Sequence, residues 1–88
     1  MKLQGEFVVR QVLDNAVAIP VGKTALQFNG MLMLHDVSKV IWECLEQSTT
    51  LDAIVTAVTG VFTVTDQEAR TDILEFCEKL RSLQLLEE

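Results

Sequence analysis

The apolar residues of this chain change period once, near His35, and that change restricts the folds open to it. Before it, β-branched and apolar residues come in short runs broken by turn residues. After it, they recur at the three- and four-residue spacing of helices. A block of strands followed by a block of helices argues an α+β fold. At 88 residues the two blocks are expected to form one small domain, residues 1–88. The 49% hydrophobic content is enough for a packed core and excludes a disordered chain.

The strand block reads as follows. Phe7–Leu13 is the first run, and Asp14-Asn15 is a turn signal. Ala16–Ile19 is the second, with Pro20 near its end, where a residue without an amide donor fits an edge or a strand end. Gly22-Lys23-Thr24 breaks the chain again. Ala25–Phe28 and Met31–Leu34 then flank Asn29-Gly30, the pair favoured in two-residue hairpin loops because both accept positive φ. The spacing predicts three or four antiparallel strands between about 7 and 34, with Met31–Leu34 last.

Three helices are predicted between about 36 and 83. Val37, Val40, Ile41, Cys44 and Leu45 form the stripe of the first, with His35 or Asp36 as its N-cap and Trp42 on its flank. Thr49 or Thr50 caps the second, striped by Leu51, Ile54, Val55 and Val58, with Gly60 near its end. Thr65 and Glu68 have the spacing of a capping box and open the third. At about 100° per residue, Ala69, Ile73, Phe76, Leu80 and Leu83 share its core face. Thr71, Asp72, Glu75, Glu78, Lys79 and Ser82 fall opposite and read as solvated. Arg70, Leu74 and Arg81 lie on the flank between the faces, with Cys77 at the border. Three short helices beside a small antiparallel sheet resemble a winged helix-turn-helix.

Most reactive chemistry is missing from the sequence. There is no GxSxG, no Gly-rich phosphate loop and no HExxH. Cys44 and Cys77 fall on or beside apolar stripes, as packing residues do, and a single histidine makes no metal cluster. Neither a cofactor nor an enzymatic activity is expected. The longest apolar run falls short of the roughly 20 residues that span a bilayer, and the N-terminus lacks a signal-peptide core. A cytoplasmic protein without membrane contact is expected. Seven basic residues against thirteen acidic ones give a net charge of −6, unfavourable for neutralising nucleic-acid phosphates.

The ordered series Gly30-Met31-x-x-Leu34, Ile41-Trp42-x-x-Leu45, Leu51-x-x-Ile54-Val55, Phe62-x-Val64, Asp72-Ile73-x-x-Phe76-x-x-x-Leu80 and Leu85-Leu86 resembles the PqqD family, named for pyrroloquinoline quinone biosynthesis. The resemblance runs from about Gly5 to Glu87. It departs at His35, where the family often has Asn, at Gln84, where it often has Gly, and at Ser48-Thr49, where it often has Asp-Gly. The resemblance implies a peptide-recognition module. Such a module binds the leader segment of a ribosomally made precursor peptide and delivers it to a modifying enzyme, often a radical-SAM protein. It also implies that the leader adds as a strand to the last strand of the sheet and lies against the third helix. On this chain that places the peptide between Met31, Leu32, Met33, Leu34 and the flank of Arg70, Leu74, Cys77 and Arg81. An unpaired strand edge and an off-stripe Leu74 between two cations fit that expectation.

Two other readings compete with it. A winged-helix DNA regulator needs a basic recognition helix, whereas here three cations, Arg70, Lys79 and Arg81, face five carboxylates on the third helix. A scaffold domain that homodimerises through its strand edge is the other.

Overall fold

The computed structural model describes residues Met1–Glu88. In chain order it contains β1 (Lys2–Leu3), β2 (Phe7–Val12), β3 (Asn15–Pro20), α1 (Lys23–Gln27), β4 (Leu32–Leu34), α2 (Val37–Leu45), α3 (Leu51–Val61), α4 (Asp66–Ser82) and β5 (Leu86–Glu87). The fold is α+β, and the three helices expected from the periodicity are α2, α3 and α4.

The main sheet is antiparallel, in the order β2-β3-β4. Val8 faces Ile19 and Val9 faces Ala18 across the β2–β3 hairpin, whose tight turn holds Leu13 at a φ of 57°. Ala16, Val17 and Ala18 of β3 pair with Leu34, Met33 and Leu32 of β4. Alternation along β3 and β4 sends Ala16, Ala18, Leu32 and Leu34 into the core. Because β3 is central, β2 and β4 each keep one unpaired edge.

Two features depart from the sequence reading. Ala25–Phe28 is not a strand: Lys23–Gln27 forms the short helix α1, entered through Gly22 at a φ of 60°. Asn29-Gly30 therefore joins a helix to β4 rather than closing a hairpin, and β3 and β4 pair across a longer connection. The buried Thr24 hydroxyl accepts a 2.8 Å hydrogen bond from the Glu6 amide, which ties α1 to the approach to β2. A second departure is at the chain ends. β1 pairs antiparallel with β5, Lys2 opposite Glu87 and Leu3 opposite Leu86. The Gln4 amide extends the pairing with a 2.8 Å bond to the Leu85 carbonyl, and the Thr49 amide donates to the Met1 carbonyl at 2.8 Å.

The helices bury the stripes that their sequences present. α2 contributes Ile41, Trp42 and Leu45, α3 Ile54, Val55 and Val58, and α4 Ala69, Ile73, Cys77 and Leu80. Trp42, expected on the flank of α2, is buried in a T-shaped pair with Phe7, centroids 5.1 Å apart. An edge-to-face pair of this kind places the positive rim of one ring on the negative face of the other. These residues, with the inward side chains of β3 and β4 and with Leu85 and Leu86, make one core cluster of 16 residues.

Local chemistry sets the helix ends. The Thr50 hydroxyl accepts from the Ala53 amide at 3.2 Å. The Thr65 hydroxyl accepts from the Glu68 amide at 3.0 Å while the Glu68 carboxylate accepts from the Thr65 amide at 2.9 Å, completing the expected capping box. α4 ends in a Schellman motif, with the Leu85 amide bonded to the Leu80 carbonyl and the Gln84 amide to the Arg81 carbonyl. Gln84 takes the left-handed conformation there, at a φ of 61°. Asp36 stands at the N-cap of α2 with a φ of 51°, and its side chain caps nothing. Ser38 instead bonds both the amide and the carbonyl of His35.

Candidate functional site

β4 is the shortest strand of the main sheet and its outer side is open. Leu32 and Leu34 point into the core, while Met31 and Met33 are 60% and 54% exposed. An unpaired edge carries backbone donors and acceptors that a second strand can satisfy. Beside it lies a cleft of about 480 Å³. Met33 closes one side, and His35, Asp36, Val37, Ser38 and Ile41, at the start of α2, form its end and floor. Asp72, Glu75, Phe76 and Lys79 of α4 form the opposite wall. Val37, Ile41 and Phe76 make the interior apolar, and Asp36, Asp72, Glu75 and Lys79 place charge at the rim.

This arrangement follows from the rotation of α4. Its buried stripe runs through Ala69, Ile73, Cys77 and Leu80, so Cys77 is a centre residue, only 1% exposed, rather than a border residue. Phe76 is displaced to the side of the stripe that faces the cleft, and Asp72, Glu75 and Lys79 lie beyond it. Arg70, Leu74 and Arg81 fall on the other side of the stripe, where the roughly 100° step per residue carries them.

The sequence-predicted residues are thus divided by the fold. Met31, Leu32, Met33 and Leu34 do build the open strand and the approach to it, and Met33 lines the cleft. The four residues of α4 are not brought to it. Cys77 is packed in the core. Arg70 bridges α3 and α4, its guanidinium 2.9 Å from Asp52 and 2.8 Å from Asp66. The hydrogen bonds it donates to Asp66 and Asp52 raise its pKa further, so it stays a cation. Arg81 is held by Glu78 at 2.8 Å and by Glu88 at 2.6 Å. Leu74 is half exposed beside them. Asp72, Glu75 and Lys79, which read as a solvated face, are the cleft wall. The signal available in the sequence was Phe76, an aromatic one helical turn from Asp72 and flanked at i−1 and i+3 by Glu75 and Lys79.

Neither cysteine is a poised nucleophile. Burial pushes the Cys77 thiol up, and burial followed by the Glu43 charge does the same to Cys44. A thiol with a raised pKa holds little thiolate at neutral pH.

An α+β domain with a free strand edge over an apolar, charge-rimmed cleft is the class that these features define. The chain belongs to the PqqD family: the model for Coenzyme PQQ synthesis protein D (PqqD) matches residues 5–86. Among solved structures, TbiB1 in complex with the TbiA(beta) leader peptide is similar in fold, with a TM-score of 0.75 and 24% sequence identity. The match covers 99% of this chain and 95% of that one. No curated protein matches the chain by sequence. No helix is long and apolar enough to cross a membrane.

Proposed function

We propose that this chain is a non-catalytic binding module for the leader segment of a ribosomally made precursor peptide. The observation that carries the reading is the free edge of β4 lying directly beside the cleft against α4. A leader laid along that edge gains main-chain hydrogen bonds from the strand, and its alternate side chains enter the cleft. Membership of the PqqD family supports this, and so does the likeness to a protein solved with a leader peptide. The module then presents the bound peptide to a modifying enzyme, with a radical-SAM protein as the candidate class and quinone-cofactor synthesis as one candidate pathway. On α4 the contact face in this reading is Asp72, Glu75, Phe76 and Lys79, in place of Arg70, Leu74, Cys77 and Arg81.

The test is a titration of isotope-labelled protein with the precursor peptides encoded beside its gene, followed by amide NMR. Shifts are expected along Met31–Val37 and Asp72–Lys79. Leu74→Asp, on the far side of α4, is expected to leave affinity within about twofold, because an exposed substitution off the site has little effect on binding or stability. A folded protein that binds none of those peptides, or whose shifts gather around Arg70, Leu74 and Arg81, overturns the assignment.

A further inference from the structure

The open strand and the apolar floor point to a ligand, and the charges around them decide which ligand. Asp36 borders the cleft at the start of α2, and Asp72 and Glu75 border it on α4. None of these three carboxylates takes part in any of the four ion pairs of the molecule. Both arginines of α4 are committed to Asp52, Asp66, Glu78 and Glu88 on the opposite flank, so neither neutralises the cleft. Lys79 is the one lysine or arginine among the lining residues.

We propose that this cleft selects a cationic leader: the segment that adds to β4 carries a Lys or Arg facing Asp72 and Glu75, next to an apolar side chain resting on Phe76. The inference rests on the peptide-binding reading above and names the chemistry of its ligand. Asp72 and Glu75 are three residues apart on one helix, a rise of about 4.5 Å, so one cationic head reaches both. A strand places every second side chain on the same face, at steps of about 6.6 Å. One cation and one apolar residue, two positions apart, therefore meet the rim and the floor together. An acidic residue in the same place meets two like charges beside an apolar surface and is rejected, since specificity comes from repulsion as well as attraction.

The experiment is selection from a displayed library of random 15-residue peptides against three folded proteins: the wild type, Asp72→Lys/Glu75→Lys, and Asp52→Lys/Glu78→Lys. The last has the same net charge as the second, with its substitutions away from the cleft. The wild-type pool is expected to be rich in Lys and Arg beside apolar residues and poor in Asp and Glu. The cleft variant is expected to reverse that preference, and peptides chosen by the wild type lose about tenfold in affinity for it, the combined effect of exposed charge pairs lost and repulsions gained. The off-cleft variant is expected to keep the wild-type preference. A pool without charge preference, or a preference that follows net charge in both variants, overturns the inference and leaves the groove standing. Failure of every protein to enrich any peptide overturns the groove itself.

Discussion

Gln84 sits in a conformation that glycine takes more easily. Its φ of 61° lies in the left-handed region, where an L side chain brings its Cβ close to the following carbonyl. The Schellman motif that ends α4 requires that conformation, because only then do the Gln84 and Leu85 amides reach Arg81 and Leu80. Leu85 and Leu86 are both buried just after it, so the strained turn aims the chain end into the core and into the pairing with β1. Gln84→Gly is expected to stabilise the fold by about 0.5–1 kcal/mol, the steric relief less the entropy lost by a freer unfolded chain. Urea denaturation measures this as a higher midpoint at an unchanged slope. A lower midpoint would show that the Gln84 side chain contributes more than its backbone costs.

At the scale of elements, long periodic helices could be read from the sequence and short or non-local elements could not. The stripes of α2 and α3 and the capping box of α4 follow from spacings of three and four residues, a local signal. β1 and β5 are two residues each, too short to show any period, and they pair across almost the full length of the chain. α1 is five residues long, and the Asn29-Gly30 that follows it imitates a hairpin. The site was half legible. The open strand was evident, but the phase of α4 was not, since counting Leu83 as core turned the expected stripe towards Phe76. The structure leaves Leu83 at 36% exposure and centres the stripe nearer Cys77. α4 also carries a prediction of its own. Thr65→Ala removes the hydroxyl that caps the helix and is expected to cost about 1 kcal/mol of stability. Glu68 should show the same cap through pH. The backbone hydrogen bond from Thr65, then the bond with the Thr65 hydroxyl, lower its pKa below the ordinary glutamate value. A carboxyl lowered on folding stabilises the fold above its unfolded pKa, and the contribution is lost as pH falls through the folded one. Glu68→Gln keeps a capping side chain and is expected to flatten that part of the acid dependence, measured by denaturation between neutral and acidic pH.

For the whole molecule, two facts oppose each other. A net charge of −6 keeps copies apart, while a sheet with β2 at one edge and β4 at the other invites them together. β2 is six residues long, exposed along most of its length, and Arg10 is its single charge. Pairing of β4 in one copy with β2 in the next is a head-to-tail contact, which does not close on itself as a two-fold dimer does. Unliganded protein is therefore expected to form weak oligomers that grow with concentration and with salt, as screening removes the repulsion. Sedimentation measures this, and a monomer under all of those conditions would refute it.

The same two edges give the peptide a second consequence. An unliganded molecule can extend a row in both directions. In one with a peptide along β4 that edge is taken, and β2 of the next copy can pair with β4 only by displacing the peptide. Supplying the ligand is therefore expected to shorten such assemblies at a fixed protein concentration, so that the abundance of the peptide controls how far this protein condenses with itself.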